Sequence, residues 1–221
     1  MYMDRETAVD HAYQVQALFD WVHAKFRKIM GKAPDRRMVF LDTETTGLKP
    51  GKDKGEIIEV AVIVEDTSGM VRHWSTKIKP QHIETAHPKA LEVNGYTPEK
   101  WTHAVAPEIA AQQLLFLLND SVLVGHSVSF DIRFLDHLFA ENNMSFRASE
   151  LSYIDTKTLA DKQLKSRGLK SVSLVSCCDF FGWDRSKAHT AEADTENCRR
   201  LYHKLINPSE REIKSWEARL K

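Results

Sequence analysis

Residues 57–64 constrain the fold of this chain more than any other stretch. Their sequence, Ile-Ile-Glu-Val-Ala-Val-Ile-Val, is rich in β-branched residues and almost continuously apolar. A strand with one solvated face alternates apolar and polar residues, so this run indicates a central strand covered on both faces. Residues 38–47 precede it and residues 70–79 follow it, with connections too short for a crossover helix. The three segments are therefore predicted to form an antiparallel meander.

Strands and helices alternate along the rest of the chain. Two more strands are predicted at residues 121–126 and 151–155. The helices that we predict between and after them lie at residues 88–93, 107–118, 130–141, 157–164, 171–181 and 190–206. A meander followed by this alternation predicts an α/β fold, with a mixed five-stranded sheet flanked by helices.

Both ends of the chain add helices to this domain. Apolar side chains recur at three- and four-residue steps over residues 5–30, which predicts an N-terminal amphipathic helix. Gly31 and Pro34 then mark a linker. Pro208, taken as a first helical residue, predicts a short C-terminal helix. We therefore expect three parts: residues 1–34, the main domain 35–206, and a helical tail 207–221. The first helix either packs on the main domain, which we favour, or binds a protein partner.

Composition indicates a folded cytoplasmic protein without a membrane partner. Apolar residues make up 42% of the 221 residues, and no stretch approaches the about 18 uninterrupted apolar residues of a membrane span. The N-terminus lacks the basic-then-apolar order of a signal peptide. Cys177, Cys178 and Cys198 have neither a disulfide framework nor zinc-site spacing, so we expect reduced thiols.

The overall charge does not indicate a nucleic-acid partner, because 31 basic residues balance 31 acidic ones. The basic residues are nevertheless concentrated in segments 25–37 and 157–170. Such segments are more often solvated surfaces than binding patches, and both interpretations stay open.

The first strand of the meander carries two carboxylates toward its end. Asp42 and Glu44 are two positions apart, so in an extended chain they point to the same side and can share one cation. Without a cation or a proton they would repel each other. The alternative is that Asp42 opens a turn and Glu44 is solvated.

Two further acids and a histidine stand near predicted helix starts. Asp131 begins the helix after the strand at 121–126, where the helix N-terminus stabilises a carboxylate and ligands commonly bind. It could also be a helix-start acid without another role. His189 and Asp194 are five residues apart, so on one helix they would diverge by roughly 140°. They can reach one site only if His189 lies on the preceding loop.

Three motifs built on these residues resemble those of the DEDDh family of DnaQ-like proofreading exonucleases. The motifs are Phe40-Leu41-Asp42-Thr43-Glu44-Thr45-Thr46-Gly47, Val124-Gly125-His126-Ser127-Val128-Ser129-Phe130-Asp131 and His189-Thr190-Ala191-Glu192-Ala193-Asp194. Residues within 78–97 also resemble the loop between the family's first and second motifs. One position departs from the pattern, because the family usually has Asn where this chain has Ser127.

The resemblance implies a ribonuclease-H-like fold and removal of nucleoside 5′-monophosphates from the 3′ ends of nucleic acid. It also implies two Mg²⁺ or Mn²⁺ ions per site, one held by Asp42, Glu44 and Asp194, the other by Asp42 with Asp131. His189 would be the general base. The implied substrate-binding residues are Thr43, Thr45, Leu48, Asn94 and Phe130. Leu48 could instead be a core residue, and Phe130 a residue that fixes the helix start.

The expected substrate is a single-stranded or frayed 3′ end of DNA. The same site would suit a 3′-5′ exoribonuclease, and the sequence alone does not distinguish a DNA substrate from an RNA substrate. A catalytically silent module that binds nucleic acid or a replication partner is the alternative from another class. The presence of all four acids and the histidine argues against it.

Overall fold

The computed structural model describes residues 37–51, 55–66, 68–184 and 190–220. The predicted N-terminal helix at 5–30, its linker and His189 lie outside these residues. The five strands are β1 (Arg37–Thr45), β2 (Ile57–Glu65), β3 (Val71–Lys77), β4 (Ser121–Gly125) and β5 (Ser152–Asp155). They form one sheet in the order β3-β2-β1-β4-β5.

The sheet is mixed, as predicted. β1, β2 and β3 pair antiparallel, whereas β4 runs parallel to β1 and β5 runs parallel to β4. The helices of the described chain are α1 (Pro88–Asn94), α2 (Pro107–Leu118), α3 (Ser129–Glu141), α4 (Thr156–Gln163), α5 (Leu174–Phe181), α6 (Ala191–Leu205) and α7 (Glu210–Leu220). Three short 3-10 helices that the sequence did not predict lie at Ile83–Thr85, Ala148–Glu150 and Lys165–Arg167.

β2 is buried along almost its whole length because helices cover both faces of the sheet. On one face, Val39 and Leu41 of β1 pack in a core with residues of α2 and α3. On the other face, Phe40 packs with Cys198 and Tyr202 of α6. Side chains two positions apart on a strand share a face, so the even-numbered residues of β1 that follow Phe40 lie on the face that α6 covers.

The C-terminal helix begins two residues later than expected. The sequence predicts Pro208 as its first residue, but α7 starts at Glu210 with Ser209 ahead of it. The Ser209 hydroxyl accepts a hydrogen bond from the Glu212 N–H, and the Glu212 carboxylate accepts one from the Ser209 N–H. This reciprocal pair is a capping box, and it fixes the helix start.

α7 packs through Trp216, which is buried in a second core with residues of α4, α5 and α6. None of the helices in the described ranges is both long enough and apolar enough to cross a lipid bilayer. Cys177, Cys178 and Cys198 are buried and form no disulfide.

Candidate metal centre

The carboxylates of β1 meet an acid from α6. Asp42 and Glu44 share the face of β1 that carries Phe40, and this is the face that α6 covers. Asp194 lies in the first turn of α6. One carboxylate oxygen from each of Asp42, Glu44 and Asp194 lies within 4.8 Å of the other two, and all three residues are half-buried. The structure therefore brings together three of the predicted ligands from distant parts of the sequence.

Hydrogen bonds fix the start of α6 over the sheet. The Thr190 side chain caps the helix by accepting from the Ala193 N–H, at 3.3 Å. The Thr195 hydroxyl donates to the carbonyl of Ala61 in β2, at 3.3 Å. In the same turn of α6, the carboxylate of Glu192 accepts a hydrogen bond from the hydroxyl of Ser75 in β3. These contacts on either side of Asp194 place its carboxylate beside β1.

Asp131 approaches from the first turn of α3 and is buried. Its Oδ1 atom accepts two hydrogen bonds from Thr43, one from the hydroxyl at 2.7 Å and one from the backbone N–H at 3.1 Å. Asp131 is thus tied to the residue between Asp42 and Glu44. It lies beside the group of three acids without being part of the 4.8 Å cluster.

The acids are crowded enough to change their protonation. Burial, followed by the charges of Asp131, Asp194 and Glu44, raises the pKa of Asp42 well above its ordinary value. Burial, followed by Asp194 and Glu59, raises the pKa of Glu44 to about 7.

The pKa of Asp131 is also raised to about 7, chiefly by burial, although the hydrogen bonds from Thr43 act in the opposite direction. Carboxylate oxygens are the ligands that Mg²⁺ and Mn²⁺ prefer, and a divalent cation would neutralise the repulsion that these pKa values reflect. The donor set therefore fits a divalent metal ion.

The predicted substrate-binding residues differ in what their side chains can do. Thr43 and Thr45 are only 7% and 8% exposed, and the Thr45 hydroxyl donates to the carbonyl of Gly47 at 2.8 Å. The Asn94 amide donates to the carbonyl of Thr45 at 3.2 Å, so it links α1 to the end of β1. These three side chains are engaged within the protein.

Leu48 follows the end of β1 at Thr45 after two intervening residues and is 80% exposed, which rules out the interpretation as a core residue. Phe130 is half-buried, and its ring centroid lies 4.8 Å from that of Phe134. Both side chains lie on segments that carry metal-site acids. His189, the predicted general base, is outside the described residues.

Sequence reasoning missed a charged pair beside the metal centre. Glu59 of β2 lies directly opposite Glu44, and Lys77 of β3 lies directly opposite Glu59. The signal was available, because Glu59 is the one charged residue in the apolar run 57–64. The apolar pattern predicts a buried strand there and gives no reason for a carboxylate within it.

The chain is similar to several known proteins. The chain matches the family described as Exonuclease over residues 39–202. It is 33% identical over 172 residues to the PolC-type DNA polymerase III of Thermotoga maritima, which covers 78% of the chain but 12% of that polymerase. It is 28% identical over 191 residues to the DNA polymerase III subunit epsilon of Treponema pallidum, covering 86% of the chain and 82% of that subunit.

A further relative is the ribonuclease T of Shewanella frigidimarina, 25% identical over 183 residues, with 76% of the chain and 81% of that protein covered. Among solved structures, Escherichia coli exonuclease I in complex with a dA16 oligonucleotide has a TM-score of 0.67 at 21% identity. This match covers 82% of the chain and 43% of exonuclease I. It confirms the predicted ribonuclease-H-like fold. The chain thus spans only a small part of the PolC-type polymerase and less than half of exonuclease I.

Proposed function

The chain belongs to the exonuclease family, and from that premise we propose that it is a metal-dependent 3′-5′ exonuclease that releases nucleoside 5′-monophosphates. The observation that carries the proposal is the meeting of Asp42, Glu44 and Asp194 at one point of the sheet. DNA is the proposed substrate, since relatives bear the names of DNA polymerase III subunits. Single-stranded or frayed 3′ ends are the proposed form of that substrate.

Two Mg²⁺ or Mn²⁺ ions, when bound, would stabilise the attacking and departing oxygens of phosphodiester hydrolysis. We propose that Asp42, Glu44 and Asp194 hold one ion and that Asp42 with Asp131 holds the other. Thr43 orients Asp131 through its two hydrogen bonds. His189, which precedes α6 in the sequence, is proposed to take a proton from the attacking water, because an imidazole has a suitable pKa near neutrality.

The terminal nucleotide is proposed to lie against Leu48 and Phe130. Leu48 is free to contact a base because its side chain is exposed. The side chains of Thr43 and Thr45 are occupied internally, so we propose that their backbone groups line the nucleotide site, with Asn94 supporting the Thr45 carbonyl. Contacts of this kind read the faces of bases, so little sequence preference is expected.

A cleavage assay with end-labelled oligonucleotides tests this function. Single- and double-stranded DNA and RNA, labelled at either end, are incubated with Mg²⁺, Mn²⁺ or a chelator. We expect mononucleotides from the 3′ end of DNA with either metal and no product with the chelator. Asp42→Asn should be inactive, whereas Asp161→Asn, at an exposed ion pair with Lys165, should behave as wild type.

Release from the 5′ end or internal cleavage would overturn the proposal, and the absence of any cleavage would favour the silent binding module. RNA is the substrate to compare most closely, because one relative is named ribonuclease T. Faster cleavage of RNA than of DNA would favour the exoribonuclease alternative.

Packing of residues 1–34 on the main domain is the interpretation that we favour; as the alternative, we propose that these residues bind a protein partner. The names of the polymerase III relatives suggest a replication protein for this role. Deletion of residues 1–34 should then retain nuclease activity and lose partner binding. We also propose a cytoplasmic location, since Cys177, Cys178 and Cys198 form no disulfide.

A further inference from the structure

A row of three charged residues crosses the sheet next to the metal centre. Glu44 on β1, Glu59 on β2 and Lys77 on β3 are directly opposite one another in successive antiparallel pairs. Side chains in such positions lie on the same face of the sheet. The face is the one that α6 covers and that carries Asp42. Glu59 is therefore a carboxylate adjacent to a predicted metal ligand.

Lys77 holds Glu59 in an ion pair. The Lys77 Nζ atom lies 2.7 Å from Oε2 of Glu59. The Glu59 side chain is 12% exposed and that of Lys77 is 38% exposed, so the pair is only partly solvated. An acid at this depth needs a partner, because an unpaired buried charge is costly.

Trp101 fixes the position of the lysine. The Lys77 Nζ atom lies 3.8 Å from the centroid of the Trp101 ring, which is a cation–π contact. The indole is itself held, since its Nε1–H donates to the carbonyl of Ile58 at 2.8 Å and its ring lies 4.9 Å from that of Tyr96. The ammonium group is thus held between a carboxylate and an anchored aromatic ring.

Strand stability alone does not account for this arrangement. Replacing a partly buried ion pair by apolar residues is often neutral or stabilising, and β2 is otherwise apolar here. Two glutamates directly opposite each other on neighbouring strands are destabilising.

We propose that Lys77 is a positioning residue of the metal centre, which neutralises Glu59 and keeps this additional carboxylate paired away from Glu44. The inference rests on the proposed metal-dependent function. With Lys77 in place, its positive charge offsets part of the negative charge that Glu59 adds beside Glu44. Without it, the charge of Glu59 acts on the acid cluster with no such offset.

Titration of Mn²⁺ into the metal-free, substrate-free full-length protein at pH 8, followed by electron paramagnetic resonance, tests the proposal. Lys77→Met keeps the apolar stem on Trp101 and removes the charge, so the dissociation constant for Mn²⁺ should fall by about fivefold. Glu59→Gln leaves Lys77 unpaired, so the constant should rise by about fivefold. The double variant and Lys77→Arg should return it to the wild-type value.

Lys204→Met is the matched control, because it removes the lysine of another ion pair, with Glu212, at the far end of α6. It should leave the constant unchanged. Shifts in the same direction in both single variants, or shifts no larger than that of the control, would overturn the proposal. If Lys77→Met fails to fold, Glu59→Gln tests the proposal by itself: a rise in its dissociation constant for Mn²⁺ supports the proposal, and a fall or no change overturns it.

The metal titration also separates this inference from the proposed function. A wild-type protein that binds Mn²⁺, responds to the variants as expected and cleaves no oligonucleotide would overturn only the exonuclease activity. A protein that cleaves DNA but whose Mn²⁺ affinity is the same in all variants would overturn only the role of Lys77. Absence of Mn²⁺ binding by the wild type would overturn both.

Discussion

Thr43 lies between the two carboxylates of β1, but its side chain contacts Asp131 rather than the group of three acids. Its hydroxyl and its N–H both donate to one oxygen of that buried carboxylate. The motif resemblance implies that Thr43 contacts the substrate. The hydrogen bonds could not be read from the sequence, because 88 residues separate the two partners.

Thr43→Val removes the hydroxyl and almost preserves the shape of the side chain. We expect kcat of the nuclease reaction to fall by about 10-fold, since Asp131 loses one of the bonds that orient it. The protein should still fold, because the backbone N–H of residue 43 remains bonded. Steady-state kinetics with Mg²⁺ measures the effect, and Thr43→Ser is the control that retains the hydroxyl. Equal kcat values for Thr43→Val and wild type would show that this bond does not position Asp131.

Ser127, the one departure from the family motif, has a structural setting that explains the usual residue. Its φ of 65° lies in the left-handed region, which Asn adopts more readily than most residues other than Gly. Its N–H donates to Asp155 at 3.0 Å, so the backbone contact is made whichever side chain is present. Serine in place of asparagine therefore affects how readily residue 127 adopts this left-handed conformation, while the backbone hydrogen bond to Asp155 is kept.

At the level of elements, apolar patterning predicted the strands and helices well. Residues 57–64 are a central strand, and the segments 107–118 and 130–141 are helices. The pattern works because burial on one or both faces decides which residues must be apolar. It fails where a local polar contact sets the end of an element. The preference of proline for the first helical position predicts that α7 starts at Pro208, whereas the capping box of Ser209 and Glu212 starts it at Glu210.

The start of α7 can be tested with two alanine variants. Ser209→Ala removes the hydroxyl that caps the helix, so the free energy of unfolding should fall by about 1 kcal/mol. Asn207→Ala changes the residue that would be the cap if Pro208 began the helix, and it should have little effect. Urea denaturation measures both. A larger loss for Asn207→Ala would place the helix start at Pro208 after all.

At the scale of the whole molecule, residues from Arg37 onward form one compact unit that includes α7. The boundaries predicted at residues 34 and 206 stay predictions. The acids of the proposed metal centre come from β1, α3 and α6 within this unit, and their mutual repulsion opposes the stability of the metal-free protein. The raised pKa values make that opposition depend on pH.

Glu44 has an ordinary pKa of 4.5 and a pKa of about 7 in the folded protein. The folded state therefore holds a proton that the unfolded state has lost between these values, and stability falls as pH rises through about 7. Burial lowers the pKa of His126 to about 4, which acts in the opposite direction below pH 6.5. Comparison with Glu44→Gln isolates the contribution of Glu44.

In the presence of a chelator, we expect Glu44→Gln to be more stable than wild type by about 2 kcal/mol at pH 8, after allowance for solvent screening. The two proteins should be nearly equally stable at pH 5. Urea denaturation at the two pH values measures this difference. Added Mg²⁺ should stabilise wild type at pH 8 more than Glu44→Gln. A difference that is the same at both pH values would contradict the assigned pKa of Glu44.

An anomalous difference map from crystals soaked in Mn²⁺ tests the metal centre most directly. The strongest peak should lie within about 2.0–2.2 Å of carboxylate oxygens from Asp42, Glu44 and Asp194. A strongest peak elsewhere in the molecule, or no peak among these three side chains at a Mn²⁺ concentration that supports cleavage, would contradict the account.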